Sequence, residues 1–322
     1  MSSTIPTQQH HKAVIGSPKN FWLHSSQTGF DFTHPSTPLT PSSRSKYTVQ
    51  TTTTPITIDP SKSALVIIDM QNFFLSSSFG RNRGAGHAAC DQLIKYAIPA
   101  ARKAGIRVVW LNWGLTEQDV KEMPPAVKRA FGFFAIPETT KFKNDDEAFR
   151  FHEGGVGVDR FGKPQEKKRV KYRGLGAESG NVELENGDLV DAGRLLMRNT
   201  WNAALYPPLD AIYEEGKHLQ ANPDVWIHKD RMSGLWGAKT DCEEFLEQEG
   251  IRTLFFAGVN TDQCVGGTLT DAFNKGYDCI LLSDGCGTTS PEFAQQSWEY
   301  NASRTFGFCT TCENLANGYG LE

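Results

Sequence analysis

Three side chains with different chemistry follow three apolar segments that have the pattern of buried strands. Asp69 comes directly after the run at 64–68, Lys229 directly after 225–228, and Cys264 a short turn after 253–257. Ligands of open α/β folds gather beyond the carboxyl ends of the strands, which meet at one edge of a parallel sheet. We therefore expect an acid, an amine and a thiol to converge there.

Each of these residues has an ordinary structural explanation, since Asp caps turns, Lys faces solvent and Cys packs in cores. Together they predict nucleophilic catalysis. A thiol reacts as the thiolate, and the pKa of Cys264 would be lowered by Lys229 and by the helix that begins nearby. Asp69 could accept the thiol proton and pass it to a leaving nitrogen, while backbone amides before Cys264 hold the oxyanion.

The elements that must position these residues alternate between strand and helix. Predicted strands cover 64–68, 106–111, 225–228, 253–257, 279–282 and about 305–308, and predicted helices cover 88–104, 239–249, 262–275, 291–303 and a segment from 313. Such alternation predicts right-handed βαβ units and a parallel sheet that is covered on both faces. The stretch 115–224 interrupts the alternation, and short helices are predicted there at 123–131 and 192–196.

The first 60 residues differ in composition from the rest, with 9 Ser, 12 Thr and 7 Pro. Such a segment cannot bury enough apolar area to offset the chain entropy lost on ordering. We therefore predict a Thr/Pro-rich extension at 1–60, whose part 33–60 is a surface tail or strap, and one enzyme domain at 61–322. Aromatic residues at 21–22 and 30–32 could anchor the extension to its own or a neighbouring subunit.

Composition excludes several classes of protein. The formal net charge of −4 argues against a nucleic-acid binder that depends on phosphate neutralisation. No apolar run approaches the roughly 18 residues that span a membrane, and residues 1–20 lack the apolar core of a signal peptide. Seven cysteines, an odd number, predict a reduced compartment rather than a disulfide framework, so we expect a cytoplasmic protein.

Three motifs resemble those of the isochorismatase-like cysteine hydrolases. They are IDMQNF at 68–73, HKDRMSG at 228–234 and GVNTDQCV at 258–265. The resemblance covers about 63–112 and 195–315, which leaves an insertion at about 115–200. It implies a three-layer α/β/α sandwich with a six-stranded, mostly parallel sheet, in a homo-oligomer such as a dimer or tetramer.

The resemblance also implies the roles of single residues. Asp69, Lys229 and Cys264 would form the catalytic triad. A cis peptide between Val259 and Asn260 would turn the backbone amides of Asn260 and Cys264 toward the oxyanion.

The substrate class follows from details of the motifs. Metal-dependent nicotinamidases carry Asp-x-His and a further His after the second strand, whereas this chain has LNWGLT at 111–116, so we expect neither a metal nor another cofactor. The runs GRLL at 193–196, WN at 201–202 and RMSGLW at 231–236 look most like ureidoacrylate amidohydrolases. Candidate substrate-binding residues are Gln71, Asn112, Trp113, Leu235 and Trp236.

These features predict an amidohydrolase that cleaves a C–N bond of a small amide, ureido or carbamoyl substrate through a thioester on Cys264. Two alternatives remain open: a vinyl ether hydrolase of the isochorismatase type with Asp69 as the acid, and an inactive binding or scaffold protein. Cys309 and Cys312 form a Cys-x-x-Cys pair, but zinc would need two more ligands and no second pair exists, so we expect packing residues.

Overall fold

The computed structural model describes residues 9–40, 45–150, 155–164 and 174–320. The strands are β1 (Lys12–Ser17), β2 (Asn20–Ser25), β3 (Gly29–Phe32), β4 (Tyr47–Val49), β5 (Ile56–Ile58), β6 (Ser63–Ile68), β7 (Arg107–Trp113), β8 (Phe133–Ala135), β9 (Val156–Val158), β10 (Asn181–Glu183), β11 (Leu189–Asp191), β12 (Val225–Lys229), β13 (Thr253–Val259), β14 (Asp278–Gly287) and β15 (Phe308–Thr310).

The α-helices are α1 (Asn72–Leu75), α2 (Ala85–Gln92), α3 (Ile98–Ala104), α4 (Glu117–Glu122), α5 (Pro125–Ala130), α6 (Asp145–Arg150), α7 (Leu209–Gly216), α8 (Asp241–Gln248), α9 (Gly266–Lys275), α10 (Glu292–Asn301) and α11 (Cys312–Ala316). Short 3₁₀ or π turns occupy Pro60–Lys62, Ser77–Phe79, Leu93–Ala97, Trp201–Ala203, Thr261–Val265 and Ala302–Phe306.

A six-stranded sheet forms the centre of the molecule, in the order β12-β7-β6-β13-β14-β15. All neighbouring strands in it run parallel. Its inner strands β6 and β13 are buried along their whole length, as expected for strands covered on both faces. The predicted six-stranded parallel sheet is confirmed.

Helices cover this sheet on both sides. Because successive side chains of a strand point to opposite faces, Ala64 and Val66 pack into one apolar cluster and Leu65 and Ile67 into the other. The first cluster includes buried residues of α8 and α9, and the second those of α2 and α3. The predicted three-layer α/β/α sandwich is confirmed.

The N-terminal segment is a second sheet, in the order β1-β2-β3-β5-β4. Val49, Ile56 and Ile58 are fully buried in the same apolar cluster as α2 and α3. The expectation that residues 33–60 form a surface strap is therefore wrong for this part of the segment, because its few apolar residues alternate and share the core of the larger sheet. The division of the chain into domains at residue 60 stays a prediction.

The described residues of the insertion form short helices and two small hairpins, β8–β9 and β10–β11. The predicted helix at 123–131 starts only at Pro125, after Met123 and Pro124 in extended conformations, because a residue that precedes proline avoids helical angles.

The predicted helix at 192–196 is wrong. Gly193 and Leu196 have φ angles of 72° and 55°, in the left-handed region. The Asn202 side chain accepts from the Leu196 N–H at 2.7 Å and donates to the Ala192 carbonyl at 2.7 Å. The Asn202 side chain thus gives the Leu196 N–H and the Ala192 carbonyl the hydrogen-bond partners that helical backbone groups would otherwise have supplied.

Candidate active site

The carboxyl ends of three sheet strands hold the three residues predicted as a triad. Asp69 follows β6, Lys229 is the last residue of β12, and Cys264 lies in the turn Thr261–Val265 after β13. Since the strands are parallel and β12, β7, β6 and β13 lie side by side, all three residues lie at one edge of the sheet.

The Asp69 carboxylate contacts the ends of β7 and β12. Its Oδ1 accepts the backbone N–H of Trp113 at 3.0 Å, and its Oδ2 lies 2.9 Å from the Lys229 Nζ. The residue is fully buried with a φ of 55°, a left-handed conformation that is uncommon outside glycine. Burial raises the pKa of the Asp69 carboxyl, although the Lys229 charge opposes this shift.

The Lys229 ammonium is enclosed by three groups. Besides Asp69, it donates to the Arg231 carbonyl at 3.0 Å and lies 4.1 Å from the centre of the Trp113 ring. The side chain is only 1% exposed. A carboxylate, a carbonyl and a π face are the partners that a buried ammonium requires.

Cys264 lies beside this ion pair. Its Sγ is 3.6 Å from the Met232 Sδ, and the Asp69 carboxyl is near enough for its charge to raise the pKa of the thiol. Burial raises the pKa of the Cys264 thiol to about 12, and the attraction of Lys229 only reduces that rise. The expectation of a lowered pKa is therefore wrong in direction: the thiol keeps its proton until a base removes it.

The peptide between Val259 and Asn260 is cis, as the family resemblance implied. The Asn260 carbonyl accepts the N–H groups of Gln263 at 3.0 Å and Val265 at 3.2 Å, which ties the turn around Cys264 to the end of β13. The oxyanion role of the Asn260 and Cys264 amides stays a prediction.

The Gln71 side chain is buried and binds backbone carbonyls. Its Nε2 donates to the carbonyls of Trp113 at 2.8 Å and Ala203 at 2.6 Å, so it fastens the end of β7 to the turn Trp201–Ala203. Asn112 is fully buried on β7, and neither polar atom of its side chain has a hydrogen-bond partner among the described residues.

The other three substrate-binding candidates differ in how they relate to the triad. Trp113 contacts Lys229, whereas Leu235 is a buried residue of the apolar core. Trp236 is 40% exposed, donates from Nε1 to the Asp230 Oδ1 at 2.9 Å and stacks on the Arg231 guanidinium at 4.5 Å. It lines a cleft of about 280 Å³ that also reaches Lys229.

Sequence reasoning missed several contacts around the triad. Arg231 and Met232 lie two and three residues after Lys229, and this proximity could have indicated them. Phe131 packs edge-to-face on the Trp113 ring, with centroids 5.2 Å apart, and no pattern in the sequence pointed to it.

No group of three or more His, Cys, Asp or Glu side chains suited to a metal ion occurs in the described part of the chain. Cys309 and Cys312 are both buried free thiols. Across the same residues, no helix is long and apolar enough to cross a membrane.

Comparison with known proteins places the chain beside one family. Residues 193–313 match the family model described as an isochorismatase domain. The ureidoacrylate amidohydrolase RutB of Rhizobium rhizogenes is 27% identical over 266 residues, which are 81% of this chain and 85% of that protein. The enzyme of the same name from Caulobacter segnis is 26% identical over 88% of this chain and 97% of its own length.

Among solved structures, the nicotinamidase PncA of Bacillus subtilis matches with 20% identity and a TM-score of 0.49, over 78% of this chain and 99% of that one. The resemblance indicated by the three motifs is thus confirmed: residues 193–313 match the model of the isochorismatase domain, and the chain is similar to ureidoacrylate amidohydrolases over most of its length.

Proposed function

We propose that this protein is a cysteine amidohydrolase that cleaves a C–N bond of a small amide, ureido or carbamoyl substrate. The observation that carries the proposal is the Asp69 carboxyl, which lies between the Lys229 ammonium and the Cys264 thiol in a buried site. The similarity to proteins named ureidoacrylate amidohydrolase supports the same reaction class.

In the first half-reaction, the Asp69 carboxylate accepts the Cys264 proton as Sγ forms a bond to the carbonyl carbon. The carbonyl electrons move to the oxygen, where the Asn260 and Cys264 amides stabilise the oxyanion, each by roughly 3–4 kcal/mol. When the oxyanion collapses, the C–N bond breaks and Asp69 gives its proton to the leaving nitrogen. The Lys229 ammonium, 2.9 Å from the Asp69 carboxylate, offsets the negative charge that develops in the site.

In the second half-reaction, Asp69 accepts a proton from water as the water oxygen attacks the thioester. The C–S bond then breaks, the acid is released and the sulfur takes the proton back from Asp69. Because the thiol is a weak acid in this site, proton transfer to Asp69 must accompany the attack rather than precede it.

The test is a panel of small amides and ureido acids, with ammonia release measured and the intact mass of the protein recorded during turnover. We expect a substrate-dependent adduct on Cys264, and a loss of more than about a thousandfold in rate for Cys264→Ala. Near-normal turnover by Cys264→Ala would exclude the nucleophile role.

One observation favours a second candidate, a vinyl ether hydrolase. The raised pKa of Asp69 would let that carboxyl donate a proton to an enol ether carbon, with Cys264 as a bystander. Turnover of a vinyl ether by both the wild type and Cys264→Ala would support this reaction instead. If no substrate is turned over and iodoacetamide reacts with Cys264 no faster than with the other cysteines, a binding role replaces both.

A further inference from the structure

The contacts around Lys229 extend into the insertion. We call the Asp69 carboxylate, the Arg231 carbonyl and the Trp113 ring the lysine cage, because they enclose the ammonium at 2.9, 3.0 and 4.1 Å. A lysine has a long, flexible side chain, so its buried charge stays in one place only if the groups around it are themselves fixed.

Two residues of the insertion contact residues that build the cage: Phe131 touches the Trp113 ring itself, and Met123 touches the side chain of Arg231, whose carbonyl belongs to the cage. The Met123 Sδ lies 3.5 Å from the Arg231 Nη1, and the Phe131 ring packs edge-to-face on the Trp113 ring. Met123 lies two residues before α5, and Phe131 immediately follows that helix. Both are buried, with 5% and 8% of their surface exposed, so the two residues that flank one short helix reach Arg231 and Trp113.

The contact between the Phe131 and Trp113 rings shows how the insertion could orient the cage. The backbone of Trp113 is fixed on both sides, since its N–H donates to Asp69 and its carbonyl accepts from Gln71. Those bonds fix the backbone but not the side-chain torsions, so the angle of the fully buried ring is set by the side chains packed around it. Contact with Phe131 is therefore suited to set the angle at which the ring faces the ammonium.

We propose that Met123 and Phe131 are positioning residues for Lys229, so that the insertion is part of the catalytic apparatus and not only a cover over the substrate. This proposal rests on the proposed function, in which the Lys229 charge supports the attack of Cys264. On this proposal, loosening either contact lets the ammonium leave its fixed place in the cage and weakens its attraction for the thiolate.

The test compares alkylation of Cys264 by iodoacetate and by iodoacetamide, quantified on the Cys264 peptide by mass spectrometry. The two reagents are similar in size and attack the same thiolate, so changes in access and in thiol pKa cancel in the ratio of their rates. The ratio reports the local charge, because only iodoacetate is an anion.

We expect Lys229→Met to lower the ratio at least fivefold, and Phe131→Ala and Met123→Ala to lower it at least threefold. Phe131→Tyr, which keeps the ring, should restore the wild-type ratio. Met197→Ala is the matched control, since Met197 is an equally buried methionine of the insertion outside the cage, and it should leave the ratio within twofold.

The outcomes separate the two proposals. If Lys229→Met lowers the ratio while both alanine variants leave it unchanged, the positioning role is refuted and the triad stands. If Lys229→Met has no effect either, the coupling between Lys229 and Cys264 fails, and with it the proposed mechanism. If Met197→Ala lowers the ratio as much as the other alanine variants do, the effect comes from a general loosening of the core and the inference is overturned.

Discussion

Burial decides the protonation state of Cys264 more strongly than the cation beside it. Lys229 lowers the pKa of the thiol, yet desolvation outweighs that effect and raises it to about 12. A thiol in this state reacts only if an adjacent base accepts its proton, and the carboxylate that acts on the thiol electrostatically is Asp69. The two residues therefore act as one proton-transfer unit, which makes Asp69 as important as the nucleophile.

The pH dependence of the reaction follows from this arrangement. Asp69 must be ionised to accept the proton, and burial raises the pKa of its carboxyl above the usual 3.8. We expect kcat/KM to fall as the pH drops through this raised value, so the acid limb lies above the usual 3.8 of a carboxyl. The measurement is a pH–rate profile of the wild type, and an acid limb at or below the usual value would contradict the prediction.

Replacement of Asp69 tests the proton transfer between Cys264 and Asp69 by removing the base. Asp69→Asn keeps the shape of the side chain but cannot accept the thiol proton, so we expect a loss of about 100- to 10,000-fold in kcat. The variant also leaves the Lys229 ammonium buried without its anion, which costs about 3–5 kcal/mol of stability. Rates should therefore be compared at a temperature where circular dichroism shows that both proteins are folded.

At the level of elements, the N-terminal sheet is a part of the core. The β3–β5 and β4–β5 pairs place Ile58 between Phe32 and Tyr47, where it is fully buried. By contrast, β1 at the opposite edge is exposed along its whole length. Stability should therefore depend on β5 far more than on β1.

Truncation of a buried and of an exposed residue in this sheet makes the comparison quantitative. We expect Ile58→Ala to lower the free energy of unfolding by about 2–5 kcal/mol, because it leaves a cavity in the core. Val14→Ala, at a residue that is 55% exposed, should change it by less than about 0.5 kcal/mol. Urea denaturation of both variants measures the difference, and equal effects would refute the buried role of β5.

At the level of the whole molecule, one buried carboxylate joins the N-terminal sheet to the larger one. Asp278, at the start of β14, accepts from the Trp22 Nε1 at 2.6 Å and from the Thr253 hydroxyl at 2.6 Å, and its other contact is the His34 Nε2 at 2.7 Å. The Trp22 and Phe32 rings pack there against Phe308 of the edge strand β15.

Loss of this carboxylate should release the N-terminal segment. Asp278→Ala removes the shared acceptor of three polar groups, and we expect a loss of at least about 3 kcal/mol in stability. Cleavage within residues 9–59 by a low concentration of protease should also become faster, while Asp188→Ala, at an exposed carboxylate, serves as the control. Unchanged protease resistance would show that the aromatic contacts suffice without Asp278.

The sequence determined the fold class and the three residues at the edge of the sheet. Continuous apolar strands that alternate with helices are typical of a parallel sheet covered on both faces. The carboxyl ends of such strands meet at one edge, which brings Asp69, Lys229 and Cys264 together. These features are local patterns, which is why they can be recognised from short motifs.

Only the tertiary structure decided how those residues are held. The high pKa of Cys264 depends on how deeply the fold buries it, and the cage of Lys229 depends on Phe131 and Met123, which are about a hundred residues away in the chain. In the same way, the buried strand β5 arises because a Thr/Pro-rich segment finds apolar partners in the larger core. Desolvation and packing arise from contacts between distant segments, so no local pattern in the sequence contains them.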